Sequence, residues 1–157
     1  MSWVAQSSCC CRVTLMSEAS EFNESDQGLV GQSVAISLRA EAAALPELWS
    51  PRVLARVNDQ YLKVARVQGE FPWHAHEAED ELFLVLKGEL TIGRAEEDGG
   101  SVRVREGEVF VVPRGVRHNT SAVEETWIAL VETVTTKHTG GEITVMTRSV
   151  AEQLGER

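Results

Sequence analysis

The sequence predicts an all-β protein whose short strands close into one barrel or sandwich. Apolar runs rich in Val, Leu, Ile and Phe recur at short intervals between Val53 and Met146. Turn signals separate them, at Asn58-Asp59, Gln68-Gly69, Lys87-Gly88, Asp98-Gly99-Gly100, Glu106-Gly107, Pro113-Arg114-Gly115 and Gly140-Gly141. Between these runs no segment has the helical periodicity that parallel βαβ units require.

At 157 residues the chain is long enough for one compact domain with a real core. Three parts are expected: a disordered arm over residues 1–34, a barrel domain over 35–135, and a C-terminal extension over 136–157 that packs on the barrel. Residues 17–32 are rich in Ser, Glu, Asp and Gly and lack apolar periodicity, which is the composition of an arm rather than of a core. Met16 opens that stretch, so residues 1–15 read as an upstream extension and either Met1 or Met16 is the natural start. Cys9, Cys10 and Cys11 are consecutive and are the only cysteines, so nothing downstream is left to pair with them. A reducing compartment follows. Residues 1–15 also lack the basic start and unbroken apolar centre of a secretory leader, and the expected location is cytoplasmic.

Helix formers from Arg39 to Leu45 precede Pro46, which predicts a short helix ending near Ala44. Strands follow over the two runs between Val53 and Val67, then at Leu82–Leu86, Glu89–Gly93, Val102–Arg105, Val109–Val112, Thr126–Val131 and Ile143–Met146. Leu82–Leu86 and Val109–Val112 are apolar on both alternating faces, so each needs cover on both sides, from the N-terminal segment or from a second subunit. A homodimer is the expectation. Ser149 followed by helix formers to Leu154 predicts a terminal helical turn.

Fifteen Lys and Arg stand against 24 Asp and Glu, a formal net charge of −9. That surplus repels a phosphate backbone and an anionic membrane face, so neither nucleic acid nor membrane is an expected partner. No apolar run approaches the roughly 18 residues of a membrane helix. A hydrophobic share of 43% with 25% charged residues is ordinary for a globular protein.

The chemistry gathers at histidines. His74 and His76 are separated by one residue, so on an extended strand they project from one face and can converge on one ion. Glu81 opens the Leu82–Leu86 run on the parity of Phe83 and Val85, and points where the histidines point if that parity faces inward. Glu77, Glu79 and Asp80 crowd the same turn and are alternative ligands or solvated charges. His118 follows the Pro113-Arg114-Gly115 turn, which can bring its imidazole back across the sheet.

The order of these features resembles the cupin superfamily. The stretch from Gly69 to Gly88, with His74, His76 and Glu81, is similar to the first cupin motif. Gly107 to His118, with Pro113 and Gly115, is similar to the second. Two departures stand out: Gly69 is one residue closer to the first histidine than the usual pattern, and Ala122 takes the trailing Asn position, with Asn119 beside His118 instead. The resemblance covers about residues 54–133 and is nearest to the small single-domain cupins described as mannose-6-phosphate-isomerase-like. It implies a double-stranded β-helix, or jelly roll, with a metal in the barrel held by His74, His76, Glu81 and His118.

Three neutral imidazoles and a carboxylate suit a divalent transition-metal ion such as Fe, Mn, Ni, Cu or Zn, and leave one or two positions open. No thiolate is near enough in sequence for a zinc-sulfur site. The expected function is metal-dependent action on a small organic molecule, of oxygenase type or of isomerase or lyase type; the alternative is a non-catalytic small-molecule-binding or sensor protein. Trp73, Phe71, Phe83, Phe110 and Trp127 line either the core or a ligand pocket. Arg114 and Arg117 suit an anionic group but stand on a turn that reads as solvated. Tyr61 and the acidic turn are the only candidates for a separate acid or base. His138 has no motif partner and reads as a surface residue.

Overall fold

The computed structural model of the chain describes residues 34–155. The expected arm up to residue 33, both candidate start methionines and the three cysteines lie outside the described residues.

Helix α1 (Leu38–Ala43) starts where Ser37 accepts a hydrogen bond from the Ala40 amide, and it ends at Ala44, as the helix formers before Pro46 predict. Seven strands follow: β1 (Arg52–Val57), β2 (Gln60–Glu70), β3 (Glu81–Lys87), β4 (Glu89–Arg94), β5 (Val102–Arg105), β6 (Val109–Val112) and β7 (His118–Thr133). All named pairs are antiparallel, in the order β1-β2-β7-β3-β6, with β4 between β5 and β7. A jelly-roll β fold is the result. Helix α2 (Val150–Leu154) closes the described chain behind a Ser149–Glu152 capping box.

Strand β7 organises the barrel. One edge pairs with β2 along nearly its whole length, from Gln60↔Thr133 to Glu70↔Ser121. Its other edge is shared, by β3 from Leu82↔Val131 to Lys87↔Trp127 and by β4 from Thr91↔Ser121 to Arg94↔His118. The chain changes partner at Gly88, whose φ of +90° favours glycine and where a Cβ would lie 2.6 Å from Thr126 Oγ1. That position sets the closing glycine of the first motif. Strand β7 is much longer than the apolar run that predicts it, because its first half carries Thr, Ser and Glu and is held by backbone pairing to β4.

Inward side chains form one apolar core, including Ala65, Val67, Phe83, Val85, Leu90, Ile92, Val112, Ile128 and Leu130. Outward, Ala42 and Leu45 of the α1 region pack on Leu54, Val64 and Ala129, with Leu84 and Leu86 against them. The N-terminal helix thus covers the outer face of β3, one of the two covers the sequence requires. On edge strand β6, Val109 and Val111 remain exposed.

The strand expected at Ile143–Met146 is absent: the segment is loop, with Ile143 92% and Val145 95% exposed. Local bonds replace a ladder there. Thr139 Oγ1 donates to the Glu142 carbonyl, and Thr147 Oγ1 accepts from the Thr144 amide. Among the described residues no helix is long and apolar enough to cross a membrane.

Candidate metal centre

Backbone geometry assembles the histidines before any ligand is considered. The His74 amide donates to the His118 carbonyl and the His118 amide to that of His74, each at 2.9 Å, locking the β2–β3 loop onto the start of β7. The Gly115 amide donates to the His76 carbonyl (2.7 Å), and Asp80 Oδ1 accepts from the Arg114 amide (2.8 Å). Asp80 therefore holds the Pro113-Arg114-Gly115 turn. Glu77 and Asp80 are exposed and Glu79 half-buried, whereas Glu81 is buried with the three histidines.

The side chains converge. One ligand-type atom from each of His74, His76, Glu81 and His118 lies within 4.8 Å of every other. Glu81 Oε2 is 3.2 Å from His76 Nε2 and 3.2 Å from His118 Nε2. A first-row metal about 2.1 Å from two ligand atoms at roughly 90–109° separates them by roughly 3.0–3.4 Å. These two spacings fall in that window.

The ring tautomers fit as well. His74 Nδ1–H donates to the Pro72 carbonyl (2.9 Å) and His118 Nδ1–H to the Val116 carbonyl (3.0 Å), because a carbonyl can only accept. In the neutral rings the lone pairs are then on Nε2, and His118 aims its own at the Glu81 carboxylate. Only a cation between them, a proton or a metal ion, makes that approach favourable. Outer hydrogen bonds of this kind orient imidazole ligands in metal sites.

Electrostatics follow from the same packing. Burial pushes His74 down to about 4, although the Glu81 charge opposes the shift. His76 is buried too, yet its hydrogen bond and charge contact with Glu81 raise it. Glu81 pays for burial less than it gains from His118 and His76, which hold it well below the usual carboxylate range.

A cavity inside the barrel adjoins this cluster, with His74 and Glu81 on its wall. Its sides are largely apolar, from Ala65, Val67, Phe71, Phe83, Ile128 and Leu130, with the Trp49 ring tilted against Phe71 at a centroid distance of 5.1 Å. Three polar groups also line it: Thr120, Glu132 and His138. Of the aromatics singled out in the sequence, Phe71 and Phe83 reach the cavity. Trp73 is exposed beside Arg117, Phe110 faces Arg94, and Trp127 packs outside near Lys87. Arg114 and Arg117 are exposed.

His138 corrects the surface reading. The segment after β7 folds back so that Gly140, with φ +61°, lies where a Cβ would come within 2.1 Å of the Ala75 carbonyl oxygen. This close approach brings the His138 ring to 5.0 Å from Phe71. The Arg148 amide donates to His138 Nδ1 (3.1 Å), which puts the proton of the neutral ring on Nε2. Burial holds this histidine down near 4, so it is uncharged at neutral pH.

Sequence reasoning also missed Lys63 and Glu132, an ion pair whose side chains are 1% and 5% exposed. The available signal was parity: Glu132 continues the inward series Ile128, Leu130, and Lys63 shares a face with Ala65 and Val67. A charged residue among inward positions is the mark of a functional or paired group.

The fold now meets its relatives. The family model described as the cupin domain matches residues 62–134. A cupin-2 domain containing protein from Shewanella frigidimarina is 36% identical, with a TM-score of 0.60 over 63% of this chain and 94% of its own. The chain belongs to the cupin family. This cupin is also 33% identical over 73 residues to YdbB of Bacillus subtilis, an uncharacterized protein; the match takes in 46% of the cupin and 63% of YdbB. Hydroquinone 1,2-dioxygenase from Sphingomonas, solved with 4-hydroxybenzoate bound, shares the fold at 21% identity and a TM-score of 0.57, over 68% of this chain and 34% of its own.

Proposed function

We propose that this cupin binds a divalent first-row transition-metal ion through His74, His76, His118 and Glu81, and holds a small organic molecule against it in the adjoining cavity. The single observation behind the reading is the approach of two imidazole nitrogens, from His76 and His118, to one buried carboxylate oxygen at 3.2 Å, with the tautomers of His74 and His118 set by backbone carbonyls. When bound, an ion with one or two positions left open supplies Lewis-acid or, if redox-active, oxygen chemistry.

The residues of the chain do the rest. Phe71, Phe83 and Leu130 exclude water from the cavity and take up the apolar part of a ligand. Thr120 and His138 offer hydrogen bonds that orient it. The donor set contains no sulfur, which favours Fe, Mn, Ni, Cu or Zn held by nitrogen and oxygen.

Calorimetric titration of metal-stripped protein with Zn(II) and with Fe(II) tests the proposal. Saturation at one ion per chain in the wild type, with affinity reduced at least tenfold in His118→Ala, is the expected result. Equal affinity in the two proteins would remove His118 from the site.

A further inference from the structure

The cavity holds a charged pair that metal binding does not use. On β2 the inward series is Tyr61, Lys63, Ala65 and Val67, and on β7 it is Ile128, Leu130 and Glu132. Lys63 stands opposite Leu130 and Tyr61 opposite Glu132, so Lys63 and Glu132 are diagonal neighbours across the ladder. Their side chains are ion-paired and almost fully buried. Two apolar residues of the same volume are often at least as stable as a buried pair of this kind, so packing gives no reason for it.

Position supplies a reason. Glu132 lines the same cavity as His74 and Glu81, but it lies outside the group of four converging ligand atoms. We propose that Glu132 is the residue that exchanges a proton with the bound small molecule, and that the molecule carries a carbonyl next to the carbon that loses the proton. The inference rests on the metal-site reading for the placement of that molecule. The Glu132 carboxylate takes the proton from the carbon. The C–H electron pair becomes the C=C bond of an enolate, and the carbonyl oxygen takes up the negative charge. The proton then returns from Glu132 to the substrate carbon, so no oxidant or reductant is consumed.

The surroundings suit the task. Burial raises the Glu132 carboxyl to about 7 against the attraction of Lys63, and the Glu81 charge adds to the rise. A base poised near ambient pH is the most effective proton acceptor. The groups facing it are Lys63 and Tyr61 from β2, Glu81 from β3, His76 from the β2–β3 loop, and His138 from the segment after β7. The chemistry is reversible proton exchange at a carbon next to a carbonyl, and it needs no oxygen.

The test follows hydrogen exchange in D2O by proton NMR, with hydroxyacetone and pyruvate as probes and metal-loaded wild type, Glu132→Gln and Glu132→Asp compared. Metal content is measured on the same samples. The wild type is expected to exchange at least one probe about 100-fold or more faster than Glu132→Gln. Glu132→Asp should keep part of the rate, and all three should carry equal metal. Infrared spectra of the metal-free proteins should show a carboxylic acid that titrates near neutral pH in the wild type and is missing from Glu132→Gln. Equal exchange in wild type and Glu132→Gln, no exchange of either probe by the wild type, or no such titrating acid would each overturn the role of Glu132. Loss of metal from Glu132→Gln would overturn it too, by making Glu132 part of the metal site. A wild type without metal would instead count against the metal-site reading, while the infrared titration would still decide Glu132.

Discussion

Replacing Lys63 by Met tests how the barrel tolerates charge in its interior. The Lys63 and Glu132 side chains are 1% and 5% exposed, so the substitution leaves a carboxyl that has neither water nor a counter-charge. Removing one partner of a fully buried pair costs about 3–5 kcal/mol. That is a large share of the roughly 5–15 kcal/mol by which a domain is stable. Glu132 is already raised to about 7 with Lys63 present, and rises further without it. A carboxyl raised above its unfolded value adds nothing unfavourable below the unfolded pKa, and its cost grows until pH passes the folded one. The wild-type cost therefore levels off near pH 7, while that of Lys63→Met keeps growing. The stability gap between the two should widen as pH rises above about 7. The double variant Lys63→Met with Glu132→Leu should recover most of the loss, because an apolar pair suits the surrounding Ala65, Val67 and Leu130. Urea unfolding at pH 6 and pH 8, followed by tryptophan fluorescence, measures all four proteins of the cycle. A coupling energy near zero, or a Lys63→Met penalty that does not depend on pH, would refute this description of the pair.

Two further outcomes follow from the structure. Gly88→Ala should destabilise the fold by about 1–3 kcal/mol, measured by thermal unfolding, because φ is +90° and the new Cβ meets Thr126 Oγ1; a neutral effect would show that the β3–β4 turn relaxes freely. His138 is held near 4 by burial, so its contribution to stability is fully present above its unfolded value near 6.5 and is lost as pH falls from there towards 4. His138→Gln should accordingly lose less stability than the wild type between pH 7 and pH 4.5 in metal-free protein; parallel pH profiles would show that the ring is solvated.

Much of the barrel was legible because apolar runs and turn residues agree. Leu82–Leu86, Val102–Arg105 and Val109–Val112 read as strands and are strands, within a residue or two. His74, His76, Glu81 and His118 stood out because two motifs occur in order, and the fold brings the four together. Other features depend on tertiary contacts that spacing does not reveal. The first half of β7 has no apolar run and is fixed by pairing to β4. Ile143 to Met146 has strand-like residues, but its Ile143 and Val145 side chains face solvent and threonine side chains bond the backbone locally. His138 reaches the cavity only because Gly140 lets the returning chain lie on Ala75. Lys63 and Glu132 look solvated when each is read alone, and become a pair only once the β2–β7 register is known.

The most direct test of the central claim is elemental analysis of protein purified without added metal, with His76→Ala measured alongside. The account predicts about one equivalent of Fe, Mn, Ni, Cu or Zn per wild-type chain and a loss of most of it in the variant, with the fold retained by circular dichroism. Wild-type protein that holds no metal even after reconstitution, or a variant that keeps full occupancy, would contradict it.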